Sequence, residues 1–375
     1  MSSNPNPPSG HVLVINPGTT STKIGVFTRD GEQFSQTIRH GDEEIERFKG
    51  QPMLARLDYR AELIERALIE AAWTSKSNAA EPCAVVARGG LLPPLECGTY
   101  LVDDAMVDAL RKAPLGEHAS NMGAVLALRF AQAAGVSAYI VDPVTVDEWQ
   151  PCARLTGSPL VERTSIGHAL NTKAVARRVA RERGRAYADL RLIVVHMGSG
   201  ITVSAHRGGR TVDSNSIEEG PFGPDRTGSL PARALIKLCF SGRYTQPELD
   251  RQIFGDGGFF AYLGTRSLIE VERRIDAGDP LAARVFEAML YQIAKETGAM
   301  AAVLAGKVDA VILTGGMAHS ERVLSDLRPQ IEWIAPVTIY PGEDELRALA
   351  EGAFRVLDGE EEVRRMKAEV GDPIR

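Results

Sequence analysis

A chain of 375 residues, 44% of them hydrophobic and 25% charged, has the balance of a globular protein and exceeds what one core organises, so two domains are expected. Its formal charge of −6 argues against nucleic acid or an anionic membrane as partner, because an acidic surface has nothing to neutralise on either; a small molecule is expected instead. No apolar run approaches the roughly 20 residues of a bilayer span, and Cys83, Cys97, Cys152 and Cys239 have neither CxxC spacing nor nearby His pairs, which reads as reduced, buried cysteines of a cytoplasmic protein.

Residues 1–10 are polar and Pro-rich, lack the basic and apolar regions of a signal peptide, and read as a disordered tail. The stretch "VLVINPGTTSTKIGVF" (12–27) then gives a strand, a turn of small polar residues and a second strand, followed by a tight turn at Asp30-Gly31 and a third strand through "EQFSQTIRH". "DYRAELIERALIEAAW" has helical apolar spacing, and "PCAVVARGG" and "SAYIVDP" read as short strands. The opening pattern returns in "RLIVVHMGSGITVSAHRGGRTVDS" (191–214), with Gly18 and Gly198 at corresponding places, a duplication rather than a solenoid. A long helix, "PLAARVFEAMLYQIAKETGAMAAVLAG", precedes the strand "VDAVILTGG", which is expected to enter a helix at Met317. The last helix, about Glu345 to Leu357, is expected to return to the first domain. The class that follows is α/β with mixed sheets flanked by helices.

A Gly/Ser/Thr turn between strands turns several backbone N–H groups and hydroxyls into one concavity, which is a phosphate cradle, although one such turn alone also suits an ordinary hairpin. Asn16, Thr19 and Ser21, with Lys23 at the rim, form the first; His196, Gly198, Ser199 and Gly200 form the second. The third, Gly315, Gly316 and Met317, follows a buried strand, where glycine permits close approach of a ligand to the backbone. None of them is GxGxxG or GxxxxGK[ST], which excludes Rossmann and Walker A readings.

"INPGTTSTK" resembles the first phosphate segment of the superfamily joining acetate kinase, sugar kinases, heat-shock ATPases and actin. In order along the chain, "ARGGLLPPL", "GEHASNMGA", "VDPVTVDEW", "SIGHALNTKAVARR", "VVHMGSG", "EEGPFGPDRTGSLP" and "YPGEDELRALAEGA" resemble the butyrate kinase branch of the acetokinases over residues 11 to about 358. The resemblance implies two duplicated actin-like ATPase (ribonuclease H-like) domains around a central cleft. Residues 11–163 with 346–375 would be the acyl side and 164–345 the nucleotide side. It also implies ATP and Mg²⁺ as cofactors, a carboxylic acid as substrate, and a homodimer.

Phosphoryl transfer to a carboxylate needs no general base, since the acid is already ionised at pH 7; it needs fixed cations for the anions in flight. Arg226, in "GPDRTG", matches the acetokinase arginine at the transferring group, and Arg88, in "VVARGG", takes the second arginine role, although its order relative to the neighbouring valines departs from acetate kinase. His168 is expected in the first turn of a helix capped by Thr164 or Ser165, where it would donate to a phosphoryl oxygen. Asp142, at a strand end before Pro143, is the candidate for orienting substrate, water or metal, and Asp344 or Glu345, with Asn16, for holding Mg²⁺. Two departures stand out. Ser267 and Ile269 replace family adenosine contacts, and Gly167 replaces a phenylalanine, which is expected to open the acyl pocket. A sugar kinase of the same superfamily, or a nucleotide-binding protein without acyl kinase activity, are the alternatives.

Overall fold

In a computed structural model of the chain, residues 10–73 and 82–366 are described; residues 1–9 of the expected tail lie outside them. The chain forms two compact units, Met1–Val146 with Asp344–Arg375, and Asp147–Glu343.

The first unit holds β1 (Val12–Pro17), β2 (Ser21–Thr28), β3 (Gly31–Arg39), β4 (Ala84–Arg88), β5 (Thr99–Leu101) and β6 (Ser137–Val141) in the order β3-β2-β1-β4-β6-β5. β1 to β3 are an antiparallel meander with Asn16 opposite Lys23, whereas β4 is parallel to both β1 and β6. Strand alternation divides the sheet's side chains between two faces. Leu13, Ile15, Val85 and Ala87 join the core under the helices Leu57–Glu70 and Asn121–Ala134. The helix Glu345–Leu357 packs on β1, β4 and β6. Gly352 permits that approach, because a Cβ there would fall 2.4 Å from Val141 Cγ2.

The second unit repeats the plan with β7 (Arg191–Met197), β8 (Ile201–Arg207), β9 (Arg210–Ser214), β10 (Ala310–Gly315) and β11 (Val337–Pro341), ordered β11-β10-β7-β8-β9. β7 to β9 are antiparallel and β7, β10 and β11 parallel, so the meander-plus-parallel arrangement is shared. Ile193, Val195, Leu313 and their neighbours pack under the helix Pro280–Val303, and Leu192, Val194 and Ile312 under the helix Ala169–Glu182. Residues 147–163, expected with the first domain, fall in this unit. The Gln150 N–H donates to Val212 O at 3.0 Å, and Arg163 pairs with Asp213 and Glu219.

Two expectations are corrected. Cys152 and Cys239 are exposed rather than buried, and Cys83 and Cys97 are half-buried. Strand β10 enters a short 3-10 turn, Gly316–His319, before the helix Glu321–Ile331 begins, because Ser320 caps that helix by accepting from Val323 N–H. Among the described residues no helix is long and apolar enough to cross a membrane.

Candidate active site

The β7–β8 turn of the second unit closes through Gly198 N–H to Gly200 O, 3.0 Å. Its glycines are required by what lies against them. A Cβ on Gly200 would sit 2.6 Å from Arg226 Nη1 and 3.2 Å from His168 Cε1, and one on Gly198 would sit 2.9 Å from His196 Nε2. Arg226, His168 and His196 therefore converge on one turn, although they come from three separate segments. The two imidazoles stack, with ring centroids 3.9 Å apart and planes at 14°. His168 Nδ1 lies 2.8 Å from Thr202 Oγ1, and His196 Nδ1 lies 2.8 Å from Asn171 Oδ1. Asn171 in turn donates from Nδ2 to Glu343 O, and the Glu343 carboxylate stands 3.6 Å from His196 Nε2.

His168 differs from its expected place. It is itself the N-cap residue of the helix Ala169–Glu182, and neither Thr164 nor Ser165 caps that helix. Ile166 O accepts the Ile217 N–H, which draws the preceding segment into a loop contact instead of a cap. Arg226 is half-buried rather than a solvated loop side chain. Burial pulls its guanidinium below the ordinary arginine value, with Asp225 opposing the shift. Its guanidinium makes no hydrogen bond or ion pair to another described residue; it lies against the turn at Gly200, beside His168, with the Phe254 ring 5.8 Å away. A desolvated cation with open donors beside two histidines and a glycine turn is the chemistry of an anion site.

The third turn adjoins this one. Gly315 has φ 90°, and a Cβ there would lie 2.4 Å from Met197 O, so the backbones of the two turns touch. Gly316 faces open space, Met317 is buried and Ser199 is exposed.

In the first unit the β1–β2 turn closes through Gly18 N–H to Ser21 O, 2.7 Å, with Thr19 and Lys23 exposed and Ser21 half-buried. Asn16 Nδ2 donates to Glu345 Oε2 at 2.6 Å, and Arg88 Nη1 lies 2.9 Å from Glu345 Oε1. Strand ends β1 and β4 and the start of the last helix thus bring Asn16, Arg88 and Glu345 together; Arg88 Nε remains buried without a hydrogen-bond partner. Asp344 is exposed, in the left-handed region at φ 43°. Asp142 is buried and strained at φ 39°, and its Oδ1 accepts the Gly98 N–H at 2.7 Å, so that carboxylate oxygen holds a neighbouring loop.

Sequence reasoning missed one group. Arg60, fully buried, donates from Nη1 to Gly18 O at 2.7 Å and from Nη2 to Thr19 O at 3.3 Å, and pairs with buried Glu44. The available signal was its register: Arg60 lies on the same helix stripe as Ile64, Ala67 and Leu68.

Of the departures, Ser267 caps the helix Leu268–Asp276, accepting from Glu270 N–H at 3.3 Å, and Ile269 is exposed. At Gly167 a Cβ would stand 3.3 Å from Thr202 Oγ1, the partner of His168. Among the described residues no group of three or more His, Cys, Asp or Glu side chains is arranged to hold a metal.

Residues 162–332 match the acetokinase family. Among solved structures, acetate kinase from Porphyromonas gingivalis is similar at TM-score 0.74 and 18% identity, over 92% of this chain and 99% of that one. A propionate kinase from Francisella tularensis subsp. tularensis SCHU S4 is similar at TM-score 0.72 and 15% identity, over 91% and 98%. Acetate kinase from Entamoeba histolytica is similar at TM-score 0.74 and 15% identity, over 93% and 100%. At these identities the likeness is one of fold: two mixed sheets flanked by helices, as in the acetate kinases.

Proposed function

We propose that the chain is an acetokinase-family carboxylate kinase that transfers the γ-phosphoryl group of ATP to a short-chain or branched fatty acid of the butyrate type. One carboxylate oxygen attacks the γ-phosphorus; the new O–P bond forms as the bond to the β-phosphate oxygen breaks, and ADP leaves with that electron pair. The products are ADP and an acyl phosphate. The observation that carries the reading is the Arg226 guanidinium, desolvated, without an ion pair among the described residues, and packed on Gly200 beside His168.

In this reading Arg226 and His168 act on the equatorial oxygens of the group in transfer. His196, Gly198, Ser199 and Gly200, with Gly315, Gly316 and Met317, hold nucleotide phosphates, and Asn16, Thr19, Ser21 and Lys23 provide the first unit's cradle. Arg88 receives the acid's carboxylate, and Asp142 acts by fixing the loop at Gly98. The first unit serves the acid and the second the nucleotide.

The donor set fits Mg²⁺ held lightly: hard oxygens, few carboxylates, and phosphate or water for the rest. Asp344, Glu345 and Asn16 are assigned to it, Glu345 being already engaged by Arg88 and Asn16. When bound, the ion supplies neutralising charge for the phosphates. The reading includes a homodimer in the cytoplasm.

The test is incubation with Mg-ATP, hydroxylamine and a series of acids of two to six carbons. Hydroxamate formation with a maximum in the series is expected; no hydroxamate with any acid overturns the proposal.

A further inference from the structure

The circuit behind the β1–β2 turn has no place in the reaction as described. Its members are Thr22, His40, Glu44 and Arg60, all buried and all in the first unit. Arg60 Nε donates to Glu44 Oε1 at 2.9 Å, His40 Nδ1 lies 2.7 Å from Glu44 Oε2, and His40 Nε2 lies 2.8 Å from Thr22 Oγ1. Arg60 Nη1 reaches Thr22 Oγ1 at 3.4 Å, which closes the ring. A paired charge of this depth costs desolvation and is weak evidence of stabilisation by itself. What it touches is more informative.

Arg60 grips Gly18 O and Thr19 O, and the His40 N–H takes Thr20 O at 2.9 Å. Among the described residues no peptide bond is cis. In a trans peptide the N–H points opposite to the preceding C=O. Carbonyls of Gly18 and Thr19 drawn onto one guanidinium therefore turn the amides of Thr19 and Thr20 away from it, side by side. Successive outward amides form an anion nest. A free turn of this composition would sample other peptide orientations, because Gly18 has no Cβ to limit it.

We infer that Arg60, braced by Glu44 and His40, is a positioning residue that holds the 18–20 turn with its Thr19 and Thr20 amides presented to an anion. It touches no substrate. Its charge is neutralised by Glu44, so its contribution is peptide orientation and not attraction of the ligand. The inference rests on the reading of this turn as a phosphate cradle, and the experiment separates the two.

Full-length protein labelled with ¹⁵N-threonine is compared as the native chain, Arg60→Met and Arg60→Lys, with the Thr19 and Thr20 signals assigned by Thr→Ser substitution and Mg·ADP as the probe. In ligand-free Arg60→Met both signals are expected to shift or broaden while Thr202 and Thr314 of the second unit keep theirs. The Kd for Mg·ADP is expected to rise about tenfold or more, as misplacement of binding groups by an ångström entails. Arg60→Lys, with no fork to reach two carbonyls, falls between. Superimposable Thr19 and Thr20 signals in Arg60→Met, whatever its melting temperature, overturn the inference. Signals that move in Arg60→Met but do not respond to Mg·ADP in the native chain sink the phosphate role of the turn and leave the brace standing. Should Arg60→Met fail to fold, Glu44→Gln with Arg60→Gln removes both charges together and is read in the same way.

Discussion

Both units end a strand, turn through glycine and start an antiparallel partner, yet they place their buried cations at opposite ends of that hairpin. In the first unit Arg60 lies beneath the β1–β2 turn and holds its carbonyls. In the second, fully buried Lys173 pairs with Glu148 and donates to Gly209 O at 3.2 Å, while Glu148 accepts Thr211 N–H; these contacts secure the β8–β9 turn, at the far end from Gly198. The β7–β8 turn instead carries Arg226 on its face, with no ion pair to a described residue. Shared topology fixes where each turn falls. Charge placement then decides whether the turn offers amides alone or amides with a cation.

Removing the half-buried cation on the β7–β8 turn should therefore cost chemistry and not stability. Arg226→Met is expected to lower kcat about 10³-fold, the scale of an arginine acting on a transferring phosphoryl group, with an unchanged or raised melting temperature, since the lost group is a desolvated, unpaired charge. An equal loss of melting temperature would make Arg226 a structural residue and erase the contrast. Lys173→Met should do the reverse. Leaving the Glu148 charge buried without the Lys173 cation costs about 3–5 kcal/mol of stability, and Lys173→Met with Glu148→Leu should recover most of it. The stability loss is measured by denaturant unfolding, and the single variant is expected to keep the native Kd for Mg·ADP; a rise as large as that expected of Arg60→Met would mean the two buried pairs do the same work.

What was legible beforehand follows the same division. Strands of alternating apolar residues broken by Gly18, Gly198 and Gly315 declared themselves, because a two-residue period and a turn glycine are local signals. Arg226 was legible from its Gly and Pro neighbours, which mark a loop. Arg60 and Lys173 were not: a charged residue on a helix reads as surface, and only partners distant in sequence, Glu44 and Glu148, allow each to be buried. The His168–His196 stack was equally hidden, since each histidine was visible and their contact was not. Asp142 was read as a ligand-orienting acid from its strand-end position, and its bond to Gly98 N–H depends on a loop the sequence does not tie to it.

Smaller effects sharpen the contrast at the second turn. Gly167→Phe, designed to narrow the acyl pocket, must also displace Thr202, since even a Cβ stands 3.3 Å from its Oγ1. Gly167→Ala is the control. It should lower kcat a few-fold through the His168–Thr202 bond, about 0.5–1 kcal/mol, with no change in preferred acid, whereas Gly167→Phe should add a shift toward smaller acids. A shift already complete in the alanine variant would place selectivity in His168 and not in pocket volume.

The smallest effect concerns protons. Burial pushes His206 well below its usual range, with Lys173 and Arg177 adding to the shift, and burial with the Arg60 charge lowers His40, against the opposing pull of Glu44. Arg56 also faces His40 and lowers it. Each ring therefore takes up its proton less readily folded than unfolded, where it protonates near pH 6.5, so the unfolded chain binds more protons as the pH falls through that value. The stability each ring contributes is complete above pH 6.5 and is lost as pH falls toward its folded value, at up to about 1.4 kcal/mol per unit. Half-buried Glu296 and buried Asp213 run the other way, their folded pKa values being raised. The informative quantity is thus the pH 7.0 minus pH 5.5 difference between the native chain and His206→Asn, expected at about 1 kcal/mol. Arg60→Met should cut the His40 share of acid sensitivity, because the repulsive cation is gone, and leave the His206 share intact. If both variants track the native chain across that range, neither unit keeps its histidine neutral, and the buried cations of the two hairpins have no electrostatic reach beyond their own carboxylates.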